Sequence, residues 1–465
     1  MGISVYPVRR TNWAVIAAFL MPWLCAAPAR AQITGSQTVR FFDSETGLVV
    51  EPQQVTLDGT AFATRDPRFA GAFRLSLTAG EHEIQAFASG YRNFTCSLRP
   101  FDAAGAEAMI DPVVGPPEFS PGAIRGNLSP DSALIIGFVG DDLTGRPLGG
   151  VRVAVLGVEA FTNERGFFSL RVPAETGDEE QVTAASVTFA KEGYRTDERQ
   201  NVDLYPNNAL KYRVRLQPGT GTQPRDDRGA PLAQQAVPEK PDLLAPVGQL
   251  LGLLLGTRAP TLSPPAAPGS IESGLVPKNW RIPPSIRVGR DCKTPLTCAA
   301  IEVLSLDHYC KRVLPSEWIP SWKEESLKAG SVAVRTYATW YHNTRARSSF
   351  DICDNPSCQY FGPRTYFTTD LSVDATSVAV LTDRKGIVVK SEYSAEANDT
   401  GCGDGKTADC IEDPVCAGKR SHGHGRGLCQ KGSQRWAAQG KDWKWILQHY
   451  FPSFRISHTP APPEP

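Results

Sequence analysis

The sequence lacks an excess of charge of either sign. Its 465 residues include 49 lysines and arginines and 49 aspartates and glutamates. Nucleic-acid-binding domains usually carry a basic field, so this balance predicts that nucleic acid is not a partner. Long apolar runs are also missing after the N-terminus, because the most apolar later stretch, residues 243–255, is short and is broken by proline and glycine. We therefore expect no stable membrane span.

The N-terminal residues have the pattern of a secretory signal. Two arginines at positions 9 and 10 precede an apolar run over residues 13–24, and Ala29-Arg30-Ala31 offers small residues for cleavage. The run is shorter than the ~20 residues that span a bilayer. The pattern predicts a signal peptide over residues 1–31 and export to the periplasm, the cell wall or the extracellular space.

Cysteine is nearly missing from the upstream half of the chain. After the predicted signal Cys96 stands alone, and nine cysteines follow from position 292 onward. Export makes disulfide bonds the expected state of most of them. The simplest parity leaves Cys96 and Cys429 as thiols and pairs the other eight in four bridges, with connectivities that the sequence leaves open. These eight are Cys292, Cys298, Cys310, Cys353, Cys358, Cys402, Cys410 and Cys416.

Short alternating apolar runs, separated by turns that contain glycine, fill the upstream half. One set covers residues 34–115 and the other covers residues 128–216. Period-2 alternation places apolar side chains on one face of a strand, and a second sheet can cover that face. The pattern predicts two antiparallel β-sandwich modules. The proline-rich and glycine-rich composition of residues 217–284 predicts a linker after them.

The C-terminal region adds helix signals and aromatic residues. One segment places residues at helical spacing, namely Leu327, Ser331, Val334, Ala338 and Tyr341. A shorter helix is expected before it, capped by Asp307 and stopped by Pro315. We therefore expect an α+β domain over residues 285–455, followed by a tail over residues 456–465.

Glu317 is the candidate catalytic residue of this region. It precedes Trp318, Ile319 and Pro320, so its carboxyl is expected to lie among apolar groups just outside the start of the second helix. Desolvation favours the protonated form of a carboxyl group and raises its pKa towards neutral, as a general acid requires. The residues alone nevertheless favour a capping or solvated glutamate over this role.

Four C-terminal segments together resemble the SpoIID/LytB family of sporulation stage II protein D and amidase enhancers. They are "YCKRVLPSEWIPSWKEESLKAGSVAVRTYA", "DICDNPSCQYFG", "VAVLTDRKGIVVKSEYSAEAND" and "SHGHGRGLCQKGSQRWAAQGKDWKWILQHYFP". The resemblance covers about residues 286–455. Upstream, "TGRPLGGVRVAV", "TNERGFFSLRV" and "FAKEGYR" make the second module resemble the carboxypeptidase-regulatory-like, transthyretin-type sandwich. The first module looks like a divergent relative.

The resemblance to the SpoIID/LytB family implies an activity and a substrate. Its catalytic members are lytic transglycosylases, which cut the β-1,4 bond between the muramic and glucosaminyl sugars of peptidoglycan. The glutamate that acts as acid and base in the family falls on Glu317. The implied partners are peptidoglycan glycan strands and a cell-wall amidase, and we expect no cofactor.

The family motifs also suggest residues that line the substrate groove. They are Arg335, Tyr337, Gln359, Tyr360, Tyr393, Ser394, His424 and Gln430. Arg335 and Tyr337 are expected to orient the catalytic carboxyl or to contact sugar oxygens, with a surface charge and helix packing as the alternatives. The sequence departs from the family at Gly330-Ser331, where Ala-Gln is commoner, and at Cys429, which is often serine.

Other interpretations of this region stay open. Cys353 and Cys358 match a zinc-binding element of some family members, although Ser357 stands where those have histidine. A second possible zinc set is Cys402, Cys410, Cys416, His422 and His424. Disulfides are favoured over zinc in an oxidising compartment. A cysteine peptidase that uses Cys429 is a weaker candidate, and a non-catalytic cell-wall binder or amidase activator is the main alternative to the enzyme.

Overall fold

The computed structural model describes residues 35–78, 80–100, 105–175, 182–227, 282–344, 349–396 and 413–458. The predicted signal peptide, most of the predicted linker and tail, and the cysteines at positions 402 and 410 lie outside these residues. Within the described ranges, no helix is both long and apolar enough to cross a membrane. The chain is rich in β-strands that form several sheets, and its longer helices lie in the C-terminal part.

The first group of strands forms two sheets around one core. The strands are β1 (Gly35–Asp43), β2 (Gln54–Leu57), β3 (Ala61–Phe62), β4 (Thr64–Arg65), β5 (Ala72–Leu77), β6 (His82–Phe87), β7 (Phe94–Leu98) and β8 (Ala106–Ile110). One sheet has the order β3-β2-β6-β7, and the other contains the run β8-β1-β5-β4. On β5, Phe73, Leu75 and Leu77 are buried and the residues between them are exposed. This alternation lets β5 share its core with Ile84 of β6 in the other sheet.

The second group follows a short helix, α1 (Pro121–Arg125). Its strands are β9 (Ser132–Asp141), β10 (Arg152–Val155), β11 (Val158–Phe161), β12 (Phe167–Pro173), β13 (Thr183–Ala190), β14 (Thr196–Leu204), β15 (Ala209–Leu216) and β16 (Thr222–Asp226). One sheet has the order β11-β10-β13-β14-β16, and another contains β12-β9-β15. The pairs β1–β8, β9–β15 and β14–β16 are parallel, so the sheets are mixed rather than purely antiparallel. The predicted linker begins at residue 217, but β16 lies within its first ten residues and pairs with β14. The predicted start of the linker is therefore too early.

The C-terminal part packs its helices around one long central helix. Its strands are β17 (Ser285–Arg290), β18 (Ala300–Ser305), β19 (Ile352–Cys353), β20 (Thr365–Tyr366), β21 (Ala379–Thr382), β22 (Tyr393–Ser394), β23 (Leu428–Cys429) and β24 (Arg455–His458). Its helices are α2 (Leu306–Glu317), α3 (Glu324–Thr344), α4 (Phe367–Ala375), α5 (Gln430–Ala438) and α6 (Trp443–Tyr450). The helix predicted around Val334 is confirmed as α3, on which α2, α4, α5 and α6 all pack.

The upstream strands are joined to the C-terminal part through two sheets. β8 pairs in parallel with β18, and Ala106 lies opposite Ile301. The first sheet therefore has the full order β19-β17-β18-β8-β1-β5-β4. β15 pairs with β20, and Leu210 lies opposite Tyr366. Backbone hydrogen bonds and shared apolar cores thus hold the upstream strands against the part of the chain that carries Glu317.

Helix α2 differs at both ends from the helix that the sequence predicts. Its N-cap is Ser305, whose hydroxyl accepts a backbone hydrogen bond in the first turn, so Asp307 is not the cap. The helix also continues through Pro315 and ends at Glu317. It stops there because Trp318 takes an extended conformation, with φ −114° and ψ 145°.

Candidate active site

Glu317 is the last residue of α2 rather than a residue at the start of the next helix. Only 2% of its surface is exposed. The backbone turns away at Trp318, whose N–H still donates to the carbonyl of Leu314 at 2.7 Å. The end of α2 thus holds the carboxyl group in the interior, away from bulk water.

Within the described ranges, Tyr360 and Gln430, from distant parts of the chain, donate hydrogen bonds to Glu317. The backbone N–H of Tyr360 donates to Oε1 at 2.8 Å. The amide of Gln430, the first residue of α5, donates to the Glu317 carbonyl oxygen at 2.7 Å and lies 3.5 Å from Oε2. Both donors are neutral, so they orient the carboxyl without the full positive charge that would favour its ionised form strongly.

Aromatic packing fixes the residue that follows Glu317. The Trp318 ring contacts Tyr393, with ring centroids 5.0 Å apart, and its indole N–H donates to the Ser433 hydroxyl at 3.3 Å. Gly330 of α3 leaves room for this ring, since a Cβ there would lie 2.6 Å from Trp318 Cε2. The departure from the family pattern at Gly330 therefore has a packing consequence next to the carboxyl.

A chain of hydrogen bonds runs through two buried polar side chains, Tyr309 and Gln359, and the partly buried Tyr393. The Tyr309 hydroxyl donates to Gln359 Oε1 at 2.9 Å, and Gln359 Nε2 donates to the Tyr393 hydroxyl at 3.0 Å. Burial raises the pKa of both tyrosines well above its ordinary value. Both hydroxyls therefore keep their protons at neutral pH. Tyr337 lies beside this chain, with its ring centroid 6.3 Å from that of Tyr393.

Two buried polar atoms in this region have no hydrogen-bond partner among the described residues. They are Oγ of Ser394 and Oε1 of Gln430. Ser394 lies on β22, which pairs in parallel with β23, the strand directly before Gln430. An unsatisfied buried polar atom costs about 1–3 kcal/mol. Such atoms are expected to meet water or a ligand hydroxyl when the protein is in solution.

His424 lies on the glycine-rich loop before α5. Its Nδ1 accepts a hydrogen bond from the Arg426 N–H at 3.0 Å, and the Arg426 guanidinium binds Glu392 at 2.9 Å. The loop approaches so closely that a Cβ on Gly427 would lie 1.9 Å from the Glu392 carbonyl oxygen. These contacts hold the loop that leads into Gln430.

Arg335 does not take the position that the sequence predicts. It is fully buried, and its Nη2 lies 2.8 Å from the Asp307 carboxylate. Its Nη1 donates to the Thr376 carbonyl at 2.9 Å. All three guanidinium nitrogens are engaged in this way, so Arg335 ties α2 and α3 to the end of α4 instead of orienting Glu317. It also lines a cavity of about 530 Å³ between α2 and loops that connect the first group of strands, and Glu317 is not part of that lining.

The cysteines depart from the predicted four bridges. Disulfide bonds join Cys292 to Cys298 and Cys353 to Cys358. Cys310, packed in the apolar core on α2, and Cys416 are buried thiols, so neither forms in this structure the bridge that the sequence predicts. The bond between Cys353 and Cys358 uses the two sulfurs that a zinc ion at this element would need.

Cys429 has surroundings that disfavour a peptidase nucleophile. Its thiol is fully buried and accepts a hydrogen bond from the Gly432 N–H at 3.1 Å as the N-cap of α5. A nucleophile must be reachable by a substrate and activated as a thiolate. The position stabilises the start of α5 instead.

Tyr309 belongs to this hydrogen-bond chain but is not among the site residues that the sequence predicts. It lies eight residues, or about two turns, before Glu317 on the same helix, and residues at this spacing share a helix face. Its position on the face that carries the candidate carboxyl is the signal that would have identified it.

Part of this region matches a known protein family. Residues 296–383 match the model of the family SpoIID: Stage II sporulation protein. An uncharacterized protein of Brachyspira hyodysenteriae is 31% identical over 102 residues, which are 21% of this chain and 27% of that relative. The alignment thus spans about a quarter of the length of the relative.

Solved structures give only weak likenesses. The Bacillus anthracis TIE protein has a TM-score of 0.14 at 14% identity, over 40% of this chain and 34% of that one. GBS52, the minor pilin of Streptococcus agalactiae, has a TM-score of 0.15 at 11% identity, over 40% of this chain and 96% of that one. Scores this low carry no argument. The family match contains Glu317, and it associates the C-terminal part of this chain with the SpoIID family and with a cell-wall-related function.

Proposed function

We propose that this protein is an exported peptidoglycan lytic transglycosylase in which Glu317 is both general acid and general base. Its substrate is the β-1,4 bond between N-acetylmuramic acid and N-acetylglucosamine. The observation that carries the proposal is the position of the Glu317 carboxyl. This group is buried at the end of α2 and held by the neutral donors of Tyr360 and Gln430, within a segment that matches the SpoIID family.

The first step needs Glu317 in its protonated form. The acid transfers its proton to the glycosidic oxygen, and the bond between that oxygen and C1 of the muramoyl sugar breaks. Burial favours the neutral form of a carboxyl group before the step. The Tyr360 N–H stabilises Oε1 of the carboxylate that the step leaves behind.

The second step uses the same residue as a base. The Glu317 carboxylate takes the proton of the muramoyl C6 hydroxyl, whose oxygen bonds to C1 and closes a 1,6-anhydro ring. The acid is thereby regenerated, and no water is consumed. Because the nucleophile belongs to the sugar, the reaction does not require the second carboxylate that glycoside hydrolysis uses.

Polar side chains around the carboxyl suit a sugar with several hydroxyl groups. Ser394 Oγ and Gln430 Oε1 are buried and have no partner in the described part of the chain. Substrate hydroxyls that bonded to them would remove the cost of leaving these atoms unsatisfied. We assign Tyr337, Gln359 and Tyr393 a supporting role, since the Gln359 amide donates to the Tyr393 hydroxyl and the Tyr337 ring lies beside that of Tyr393.

Product analysis by mass spectrometry tests the proposal. Purified peptidoglycan is incubated with the full mature chain, and the released fragments are compared with those of the Glu317→Gln variant. Anhydro-muramoyl ends, lighter by one water than hydrolysed ends, are expected from the parent and are expected to be lost in the variant. The matched control is Glu324→Gln, since Glu324 is an exposed acid in the first turn of α3.

The same experiment separates the enzyme from its alternatives. Hydrolysed reducing ends would mean a glycosidase, which contradicts the one-carboxylate mechanism. Intact glycans that both proteins still bind would mean a wall binder. An increase in peptide release only when a cell-wall amidase is added would mean an amidase activator.

A further inference from the structure

A cluster of buried polar groups lies behind the first turn of α5. Cys429 is the N-cap of α5, and Cys416 ends a short 3₁₀ segment over Pro414–Cys416. Their sulfur atoms are 3.6 Å apart, and both residues are fully buried. Glu396 and Asp413 complete this group, which we call the thiol cluster. Neither the fold nor the proposed chemistry at Glu317 accounts for two adjacent thiols there.

The positively charged side chain of Arg435 lies within the thiol cluster. Arg435 Nη1 donates to Glu396 Oε1 at 2.5 Å and to Cys416 Sγ at 3.2 Å. On the other side, the Cys416 thiol lies 3.2 Å from Asp413 Oδ2, to which Tyr450 also donates at 2.5 Å. The acidic groups of the cluster are therefore already hydrogen-bonded to donors of this chain.

This arrangement disfavours a metal ion. Among the described residues, Glu396, Cys416 and Cys429 offer one ligand atom each within 4.8 Å of one another. The guanidinium of Arg435 bridges two of these three ligands, so a metal would have to displace it and bring two positive groups together.

The thiols are also poor candidates for reactive groups. Hydrogen bonding between the two cysteines, followed by burial, raises the pKa of Cys416 above its ordinary value. A buried and protonated thiol is not a nucleophile. The short distance between the two sulfur atoms is instead consistent with a covalent bond between them.

We propose that Cys416 and Cys429 form a disulfide bond in the exported protein. Two S–H bonds break and one S–S bond forms, and two protons and two electrons leave. The electrons reduce a disulfide oxidant, such as the disulfide of a thiol oxidoreductase or oxidised glutathione, to two thiols. The sulfurs need to approach from 3.6 Å to about 2.05 Å. Exchange takes place during folding, before the pair is buried.

The bond has a structural consequence at the candidate active site. It ties the 3₁₀ segment that ends at Cys416 to the N-terminus of α5. The next residue along is Gln430, whose amide contacts Glu317. The disulfide is therefore a positioning element for Gln430, and only this consequence rests on the proposed function.

Disulfide mapping tests the bond without any activity assay. The full mature chain is produced by export into an oxidising compartment, unfolded in the presence of N-ethylmaleimide, and digested with trypsin and Glu-C. Cleavage after Glu412 is essential, because it separates Cys410 from Cys416. We expect a peptide that links Cys416 to Cys429, lighter by two hydrogens than the separate peptides, and maleimide on Cys96 and Cys310.

Three results would overturn the proposal. One is maleimide on both Cys416 and Cys429. Another is a link from either residue to a different cysteine, such as Cys410. The third is a stoichiometric release of zinc on unfolding together with labelling of both thiols, which would mean a metal site.

Single substitutions provide a matched control. In Cys416→Ala, the number of labelled cysteines should rise by one, because Cys429 loses its partner. In Cys310→Ala, the number should fall by one, because that thiol is not in a bridge. A fall in Cys416→Ala would contradict the bond. The mapping of the parent protein stands by itself if either variant fails to fold.

Discussion

Two buried carboxyl groups in the C-terminal part have opposite surroundings. Asp351, just before β19, is fully buried and receives the Arg287 guanidinium at 2.5 Å and the Arg287 backbone N–H at 2.9 Å. Burial raises its pKa, but His342 and Arg287 outweigh this effect and lower the pKa to about 2. Glu317 is equally buried, but the donors described for it are a backbone N–H and an amide.

The difference between the donors of Asp351 and those of Glu317 bears on how readily each acid becomes protonated. A carboxylate that is paired with a guanidinium is held ionised, and it serves the fold by joining β17 to the segment before β19. A carboxylate that is paired with a guanidinium loses a strong electrostatic attraction when it becomes protonated. A carboxylate held by neutral donors loses less. The donors described for Glu317 therefore favour its ionised form less strongly than the Arg287 guanidinium favours that of Asp351.

The largest expected effect on stability concerns this contrast directly. Asp351→Asn leaves the buried Arg287 guanidinium without its counter-charge, so we expect a loss of about 3–5 kcal/mol in the free energy of unfolding. Glu317→Gln keeps the acceptor for the Tyr360 N–H, so we expect a loss of about 1 kcal/mol or less. Denaturation in urea measures both. Equal losses in the two variants would remove the distinction between the two acids.

The pH dependence of stability sharpens the comparison. The folded-state pKa of Asp351 lies near 2, below the ordinary value of 3.8. Its contribution is therefore fully present above about pH 3.8 and is lost as the pH falls through the folded-state value. A difference of this size is worth roughly 2 kcal/mol. Urea denaturation between neutral and acidic pH should show this loss in the parent protein and not in Asp351→Asn.

Packing beside Glu317 can be disturbed without changing any charge. In Gly330→Ala, the new methyl group would overlap the Trp318 ring, and we expect a loss of about 1–3 kcal/mol together with a lower cleavage rate. Gly122→Ala on α1 is the control, since its new methyl group meets no atom within 4 Å. Thermal unfolding and the peptidoglycan assay check both variants. An unchanged rate in Gly330→Ala would mean that the Trp318 position does not matter to the reaction.

A smaller effect is expected from the hydrogen-bond chain. Tyr393→Phe removes the acceptor of the Gln359 amide at 3.0 Å while keeping the ring that contacts Trp318. We expect a loss of about 0.5–1.5 kcal/mol in stability. The cleavage rate should fall more than the affinity for glycan, because the group positions the site. Equal changes in both quantities would indicate a role in binding alone.

The sequence was most informative where the signal is local. The spacing from Leu327 to Tyr341 predicts α3 correctly, because a helix repeats within a few residues. The continuation of the upstream sheets through β18 and β20 could not be predicted, since strand pairing between distant segments leaves no local pattern. Pro315 misled the placement of the end of α2, and Glu317 became the last residue of a helix instead of preceding one.

The candidate active site shows the same contrast between local sequence signals and contacts between distant segments. Glu317 and its apolar neighbours are adjacent in sequence, so a desolvated carboxyl could be proposed, although the residues alone favoured a capping or solvated one. Arg335 could not be placed, because its partner Asp307 and the carbonyls of α4 come together only in the fold. The pairing of cysteines likewise depends on distances that the chain order does not reveal.

The rate of glycan cleavage by Glu317→Gln tests the central claim most directly. Loss of a general acid or base typically slows a reaction by about 10²–10⁴-fold. The rate of release of anhydro-muramoyl ends is measured for the parent and the variant on the same peptidoglycan, beside the binding of each protein to intact sacculi. We predict a fall of at least about a hundredfold with binding unchanged. A variant that releases these ends as fast as the parent would contradict the assignment of Glu317.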